Sequence, residues 1–124
     1  MTRVLIVGGT GFIGRHLAGA LTAAGHPVTG LGRSGIDLVR DSDATLTARL
    51  TGYGVVINAA GLVRRFGPNT LTAVHAEGTE RLVRACLAAG VPRLIHLSAL
   101  GASSDGETEY QRTKGHGEDL LNGA

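Results

Sequence analysis

Val4-Leu5-Ile6-Val7-Gly8-Gly9-Thr10-Gly11-Phe12-Ile13-Gly14 stands at the start of the chain and decides its fold. The apolar run Val4 to Val7 reads as a strand buried on both faces, and the glycines follow without a spacer. Ile13, Leu17, Leu21 and Ala24 then recur on one face of a helical pattern. Strand, glycine turn and helix in that order form the context of a dinucleotide-binding fingerprint. One glycine permits the tight turn, one lets backbone approach a pyrophosphate, and one lets the helix pack closely on the strand. A diphosphate would then meet the free N–H groups and positive dipole end of the helix.

Two later stretches punctuate the chain alike: Ala23-Ala24-Gly25-His26-Pro27 and Ala88-Ala89-Gly90-Val91-Pro92. In each, Gly takes a left-handed helix-ending position and Pro stops the helix. A strand-like run follows each time, Val28 to Leu31 and then Leu94-Ile95-His96-Leu97. Val55-Val56-Ile57 reads as a further buried strand after the turn signal Gly52-Tyr53-Gly54. A short strand is expected at Ile36-Asp37-Leu38, a brief helix over Ala44 to Leu50, and a longer helix from Thr72 to Ala89. That longer helix carries Leu82, Ala85, Cys86 and Ala89 on one face, and segments 62–70 and 98–107 read as loops.

Strands alternating with helices predict an α/β fold, a Rossmann-type doubly wound parallel sheet in three layers, α/β/α. Right-handed crossovers order about five strands as 3-2-1-4-5, with ligands gathering where the first strand and the strand at 55–57 diverge. No linker or low-complexity tract interrupts residues 1–124, which read as one domain.

Composition narrows the classes. The 12 basic and 10 acidic residues leave a formal charge of +2, and the basic residues are spread from Arg3 to Lys114. A nucleic-acid binder would present a basic face, so none is expected. The single cysteine, Cys86, excludes an intrachain disulfide and reads as a buried thiol. No apolar run reaches the ~18 residues of a membrane span, and no signal peptide precedes the first strand, which predicts a cytoplasmic protein. The five histidines and the carboxylates form no set with metal-ligand spacing.

Near the other end stands Tyr110-Gln111-Arg112-Thr113-Lys114. A spacing of four puts Tyr110 and Lys114 on one helix face, and Lys114 is the chain's only lysine. A nearby ammonium favours phenolate and lowers a tyrosine pKa from roughly 10. Such a tyrosine can exchange a proton with a carbonyl or an alcohol near neutral pH.

With these residues in view, the chain resembles the short-chain dehydrogenase/reductase superfamily, in its extended and atypical branches with Gly-x-x-Gly-x-x-Gly. The glycines are Gly8, Gly11 and Gly14; further matches are Asn58-Ala59-Ala60-Gly61, Glu77-Gly78-Thr79 and Val91-Pro92-Arg93-Leu94-Ile95-His96-Leu97-Ser98. Leu97 to Ala102 together with Tyr110 to Lys114 looks most like the group around the nucleotide-binding accessory subunit of respiratory complex I. The resemblance covers essentially the whole chain. It implies hydride transfer between a nicotinamide cofactor and a carbonyl or alcohol, as an oxidoreductase or an epimerase/dehydratase. It further implies Tyr110 as acid/base, Lys114 as its pKa partner and ribose anchor, and Ser98 as the group polarising the substrate oxygen. Ser98 has a second role open to it, a strand-end hydroxyl satisfying backbone. Implied cofactor contacts are Gly8, Thr10, Gly11, Phe12, Ile13, Gly14, Arg33, Asp37, Leu38, Asn58, Ala59, Ala60 and Gly61, with Asp37-Leu38 approaching the adenine. His75 stands where the family often has an Asn that supports a water relay.

Cofactor choice is read after the second strand, at Leu31-Gly32-Arg33-Ser34, where no carboxylate is present for the ribose hydroxyls. Arg33 suits a 2′-phosphate, which predicts NADP(H) over NAD(H). Members of the superfamily continue past the Tyr-Lys helix, whereas this chain stops at Ala124. The expectation is a fragment of a longer protein, or an edge covered by another copy. The rival to an enzyme is a nucleotide-binding module without turnover, a redox sensor or an accessory part of an assembly.

Overall fold

The computed structural model describes residues 2–32, 34–60, 76–97 and Lys114. The elements run β1 (Val4–Val7), α1 (Phe12–Ala23), β2 (Val28–Leu31), α2 (Asp43–Leu50), β3 (Val55–Asn58), α3 (Gly78–Ala89) and β4 (Arg93–His96). Among the described residues the strands form one parallel sheet in the order β2-β1-β3-β4. Its register aligns Leu31, Val7, Asn58 and His96 in a row at the carboxyl ends.

Alternation along the strands divides the core. Val4, Ile6 and Ile57 face α1 and meet Leu17, Ala18 and Leu21. Leu5, Val7 and Val56 face the other way, onto Leu46 and Leu50 of α2 and Leu82, Ala85 and Cys86 of α3. Both faces of β1 are therefore covered, which is why its sequence is an unbroken apolar run rather than an alternating one. The result is the expected three-layer Rossmann-type arrangement.

Three local expectations need correction. Ile36-Asp37-Leu38 forms no strand, so the order 3-2-1-4-5 reduces to the four strands above among the described residues. Asp37 turns the chain instead: its Oδ1 accepts the N–H groups of Val39 and Arg40 at 2.9 and 3.1 Å. An aspartate that bonds backbone two residues on competes with a sheet ladder. Ile36 and Leu38 are still buried, but from a turn. Second, Ile13 leaves the apolar face of α1 and is 57% exposed, beside Phe12 at 71%. Third, the last strand spans Arg93–His96, and Leu97 follows it with its N–H on Asn58 O at 3.1 Å. The expected helix from Thr72 is seen from Gly78 onward, since residues 72–75 lie outside the described ones.

The helix ends follow their sequence signals. Gly90 is left-handed (φ 72°, ψ 28°), and Val91 N–H reaches back to Cys86 O at 3.0 Å. Gly25 (φ 93°) is followed by the same backward bond, His26 N–H to Leu21 O at 3.1 Å. Ser42 caps α2 by accepting Thr45 N–H at 3.1 Å. Among the described residues, no helix is long and apolar enough to cross a membrane.

Candidate functional site: a glycine cradle at the carboxyl ends of the strands

The turn after β1 is built by backbone. Gly8 and Gly9 both donate to Leu31 O, at 2.9 and 3.1 Å, tying the turn to the end of β2. Gly8 has φ 80°, and a Cβ there would lie 2.7 Å from Ala60 N and 2.8 Å from the carbonyl carbon of Ala59. A Cβ on Gly9 would lie 2.4 Å from Gly30 Cα, and one on Gly14 would lie 2.3 Å from Gly8 O. These contacts are backbone against backbone, so no side chain can rotate to relieve them. Gly14 thereby brings α1 against the turn, and Gly8 brings the turn under Ala59-Ala60.

Helix α1 starts at this turn with an unsatisfied end. Gly11, its N-cap, offers no side-chain acceptor, and the first turn holds no acidic residue. Open N–H groups and an uncompensated positive dipole end favour an anion there. Phe12 and Ile13 flank this end in solvent, with the Phe12 ring 4.5 Å from that of His16. At the neighbouring end of β2, a Cβ on Gly32 would meet Thr10 Oγ1 at 2.5 Å. Thr10 thus lies against the chain just before Arg33.

The end of β3 supplies the other wall. Asn58 is 1% exposed, an unfavourable place for an amide unless all its groups are paired. Its Oδ1 accepts Ala60 N–H at 3.2 Å and its Nδ2 lies 3.2 Å from His96 Nδ1 on β4. Ala59 N–H donates to Val7 O at 2.8 Å. Ala59 and Ala60 are therefore fixed across the mouth of β1 by Asn58 below and Val7 beside. Lys114 is buried and helical, and its Nζ donates to Leu97 O, just past β4, at 2.7 Å.

The structure thus brings Gly8, Thr10, Gly11, Phe12, Ile13, Gly14, Asn58, Ala59 and Ala60 to adjoining strand ends. Asp37 and Leu38 lie on the turn after β2, with Leu38's side chain in the core, so a ligand there would meet its backbone. Arg33, Gly61, His75, Ser98 and Tyr110 lie outside the described residues. Three contributors escape the sequence reading. Gly30 carries a signal, because a glycine inside a strand run marks close backbone approach. His96 carries none beyond its place on a strand, and neither does Arg81, whose guanidinium grips the turn at 38–43.

A sequence profile of the NAD dependent epimerase/dehydratase family matches residues 4–119. The chain belongs to that family. Among curated proteins it is 36% identical over 112 residues to a dTDP-6-deoxy-L-talose 4-dehydrogenase (NAD(P)(+)) of Kitasatospora kifunensis, covering 79% of this chain and 35% of that one. It is 35% identical over 116 residues to a dTDP-4-dehydrorhamnose reductase of Mycolicibacterium smegmatis, covering 88% of this chain and 34% of the other. The fold superposes on UDP-glucose 4-epimerase of Thermus thermophilus, solved with NAD, at a TM-score of 0.82 and 23% identity, covering 97% of this chain and 50% of that one. The dTDP-4-dehydrorhamnose reductase of Bacillus anthracis, solved with NADP, superposes at a TM-score of 0.79 and 15% identity, covering 98% and 49%. This member of the family therefore spans about a third of the length of these curated relatives and half that of the solved chains.

Proposed function

We propose that this chain binds NADP(H), with NAD(H) the alternative, across the carboxyl ends of β2, β1 and β3, and that it serves a hydride-transfer oxidoreductase or epimerase acting on a sugar nucleotide. The observation that carries the binding is the glycine turn, where the missing side chains of Gly8, Gly9 and Gly14 let backbone pack on backbone and set the turn beside the uncapped N-terminus of α1. A pyrophosphate is suited by a turn free of side chains next to an open helix N-terminus. The substrate class follows the dTDP- and UDP-sugar enzymes named above.

Bound here, the nicotinamide would supply a hydride acceptor and donor at its C4. This chain's residues would do the rest. Backbone from Gly8 to Gly14 would hold the diphosphate, Arg33 the 2′-phosphate, and Asp37-Leu38 the adenine. Asn58, Ala59, Ala60 and Gly61 would border the nicotinamide half. Tyr110 would pass a proton to or from the substrate oxygen, with Ser98 polarising that oxygen. Lys114, whose Nζ donates to Leu97 O, would support the tyrosine and hold a ribose hydroxyl. The 124 residues would form one nucleotide-binding domain in the cytoplasm, working with a second copy or with further chain.

Calorimetric titration with NADPH and NADH tests the binding, and NADPH oxidation across a panel of dTDP- and UDP-4-keto sugars tests the chemistry. Tyr110→Phe should abolish turnover while leaving nucleotide affinity within about twofold, since only the proton donor is removed. Binding without turnover on any substrate would favour the non-catalytic sensor. Folded protein that binds neither nucleotide would overturn the proposal.

A further inference from the structure

Arg81, on the first turns of α3, reaches across to the turn that follows β2. Its Nη1 donates to Leu38 O at 2.7 Å, and its Nη2 donates to Asp41 O. Its Nε and Nη2 also meet Asp43 Oδ1 at 3.3 and 3.2 Å. One side chain thereby fastens three points of a six-residue segment. The Arg81 side chain is 20% exposed whereas that of Asp43 is 71% exposed. An ion pair so open to water contributes little, so the two carbonyl bonds form the clamp.

The segment's own bonds show what the clamp fixes. The peptide unit between Leu38 and Val39 is held at both ends: its oxygen by Arg81 Nη1, its N–H by Asp37 Oδ1. Asp41 is held in the same double way, its carbonyl by Arg81 and its Oδ2 by Asp37 N–H at 2.8 Å. The direction of the Asp37 carboxylate therefore depends on the Leu38-Val39 peptide plane that Arg81 orients, together with Arg40 N–H, which also donates to Oδ1 at 3.1 Å. Release of Leu38 O would let that peptide turn and would take the N–H away from Asp37 Oδ1.

We infer that Arg81 is a positioning residue for the adenine end of the nucleotide, acting through the Asp37-Leu38 turn and touching no ligand itself. The inference rests on the reading above that places adenine at that turn. A guanidinium suits the task because its planar fork of donors reaches several acceptors in fixed directions. A lysine in its place would hold one carbonyl at a time.

The test divides the nucleotide into its two halves. Binding of NADPH, 2′,5′-ADP and reduced nicotinamide mononucleotide is measured on wild type, Arg81→Gln, Arg81→Lys and Asp43→Asn, each shown to be folded by circular dichroism. Arg81→Gln should weaken 2′,5′-ADP and NADPH roughly tenfold, the scale of about one lost charged hydrogen bond. It should leave the mononucleotide within about twofold. Arg81→Lys should fall between wild type and Arg81→Gln, and it serves as the reporting variant if Arg81→Gln does not fold. Asp43→Asn should match wild type. Unchanged 2′,5′-ADP affinity in the Arg81 variants, or equal weakening of both halves, overturns the positioning role while NADPH binding by wild type still stands. Wild type that binds no adenine nucleotide overturns the functional proposal and this inference with it.

Discussion

Asn58 on β3 and His96 on β4 are joined across the sheet at its carboxyl edge, with Asn58 Nδ2 3.2 Å from His96 Nδ1. Because Asn58 Oδ1 is committed to Ala60 N–H, the amide must present its NH₂ to the histidine. His96 Nδ1 then serves as the acceptor in this contact. One buried amide thus couples the wall of the site to a histidine 38 residues away in sequence.

Asn58→Leu should therefore do more than remove one bond. It would leave Ala60 N–H and His96 Nδ1 without this partner, at a cost of ~1–3 kcal/mol each where water cannot replace it. Urea unfolding should show a lower midpoint with an unchanged slope, and amide exchange should quicken at Ala59 and Ala60. An unchanged midpoint would show that solvent reaches these groups freely.

Two glycine substitutions on one helix should have opposite signs. Gly14→Ala places a methyl 2.3 Å from Gly8 O, so α1 must move off the turn, lowering stability and nucleotide affinity together. Gly19 is exposed in the same helix, with nothing within 4 Å of its Cβ position. Gly19→Ala should accordingly raise stability by ~0.5–1 kcal/mol, through helix propensity alone. Thermal melts of both variants check the pair.

Cys86 offers a pH test. Burial against the sheet pushes its thiol pKa from 9.0 up to about 11. The folded chain holds this proton more tightly than the unfolded chain, so the group's stabilisation is complete below pH 9 and is lost as pH rises towards 11. Comparing unfolding midpoints of wild type and Cys86→Ala across that range isolates it from other titrations. A disulfide reagent at pH 8 should label the thiol only as fast as the protein opens.

Arg33→Ala should weaken NADPH while leaving NADH nearly unchanged, because only the former carries a 2′-phosphate for the guanidinium. Loss of one charge-assisted contact corresponds to roughly tenfold or more in dissociation constant. Equal weakening of both nucleotides, or tighter NADH binding by wild type, would remove the case for NADP(H).

The local grammar is legible in the residues. An apolar run followed by glycines gives β1 and its turn, and Gly25 and Gly90 end their helices as their positions require. Ile36-Asp37-Leu38 misleads because its apolar flanks suggest a ladder, whereas Asp37 spends its carboxylate on neighbouring N–H groups. Ile13 misleads for a related reason: helical spacing names a face but not which turn of that face meets the sheet. In the first turn of α1 it is Gly14 that is buried against the glycine turn, while Ile13 beside it stays in solvent.

Sequence alone determined the strand-turn-helix opening, the parallel α/β class and the kind of ligand that such an opening admits, because each depends on residues a few positions apart. Tertiary structure decided which backbones touch and which side chains answer them. Gly9 against Gly30, Asn58 against His96, and Arg81 on the carbonyl of Leu38, 43 residues distant in sequence, all depend on how the crossovers stack the layers. No spacing rule encodes those meetings, since they are set by the packing of whole elements and not by the conformation of any one.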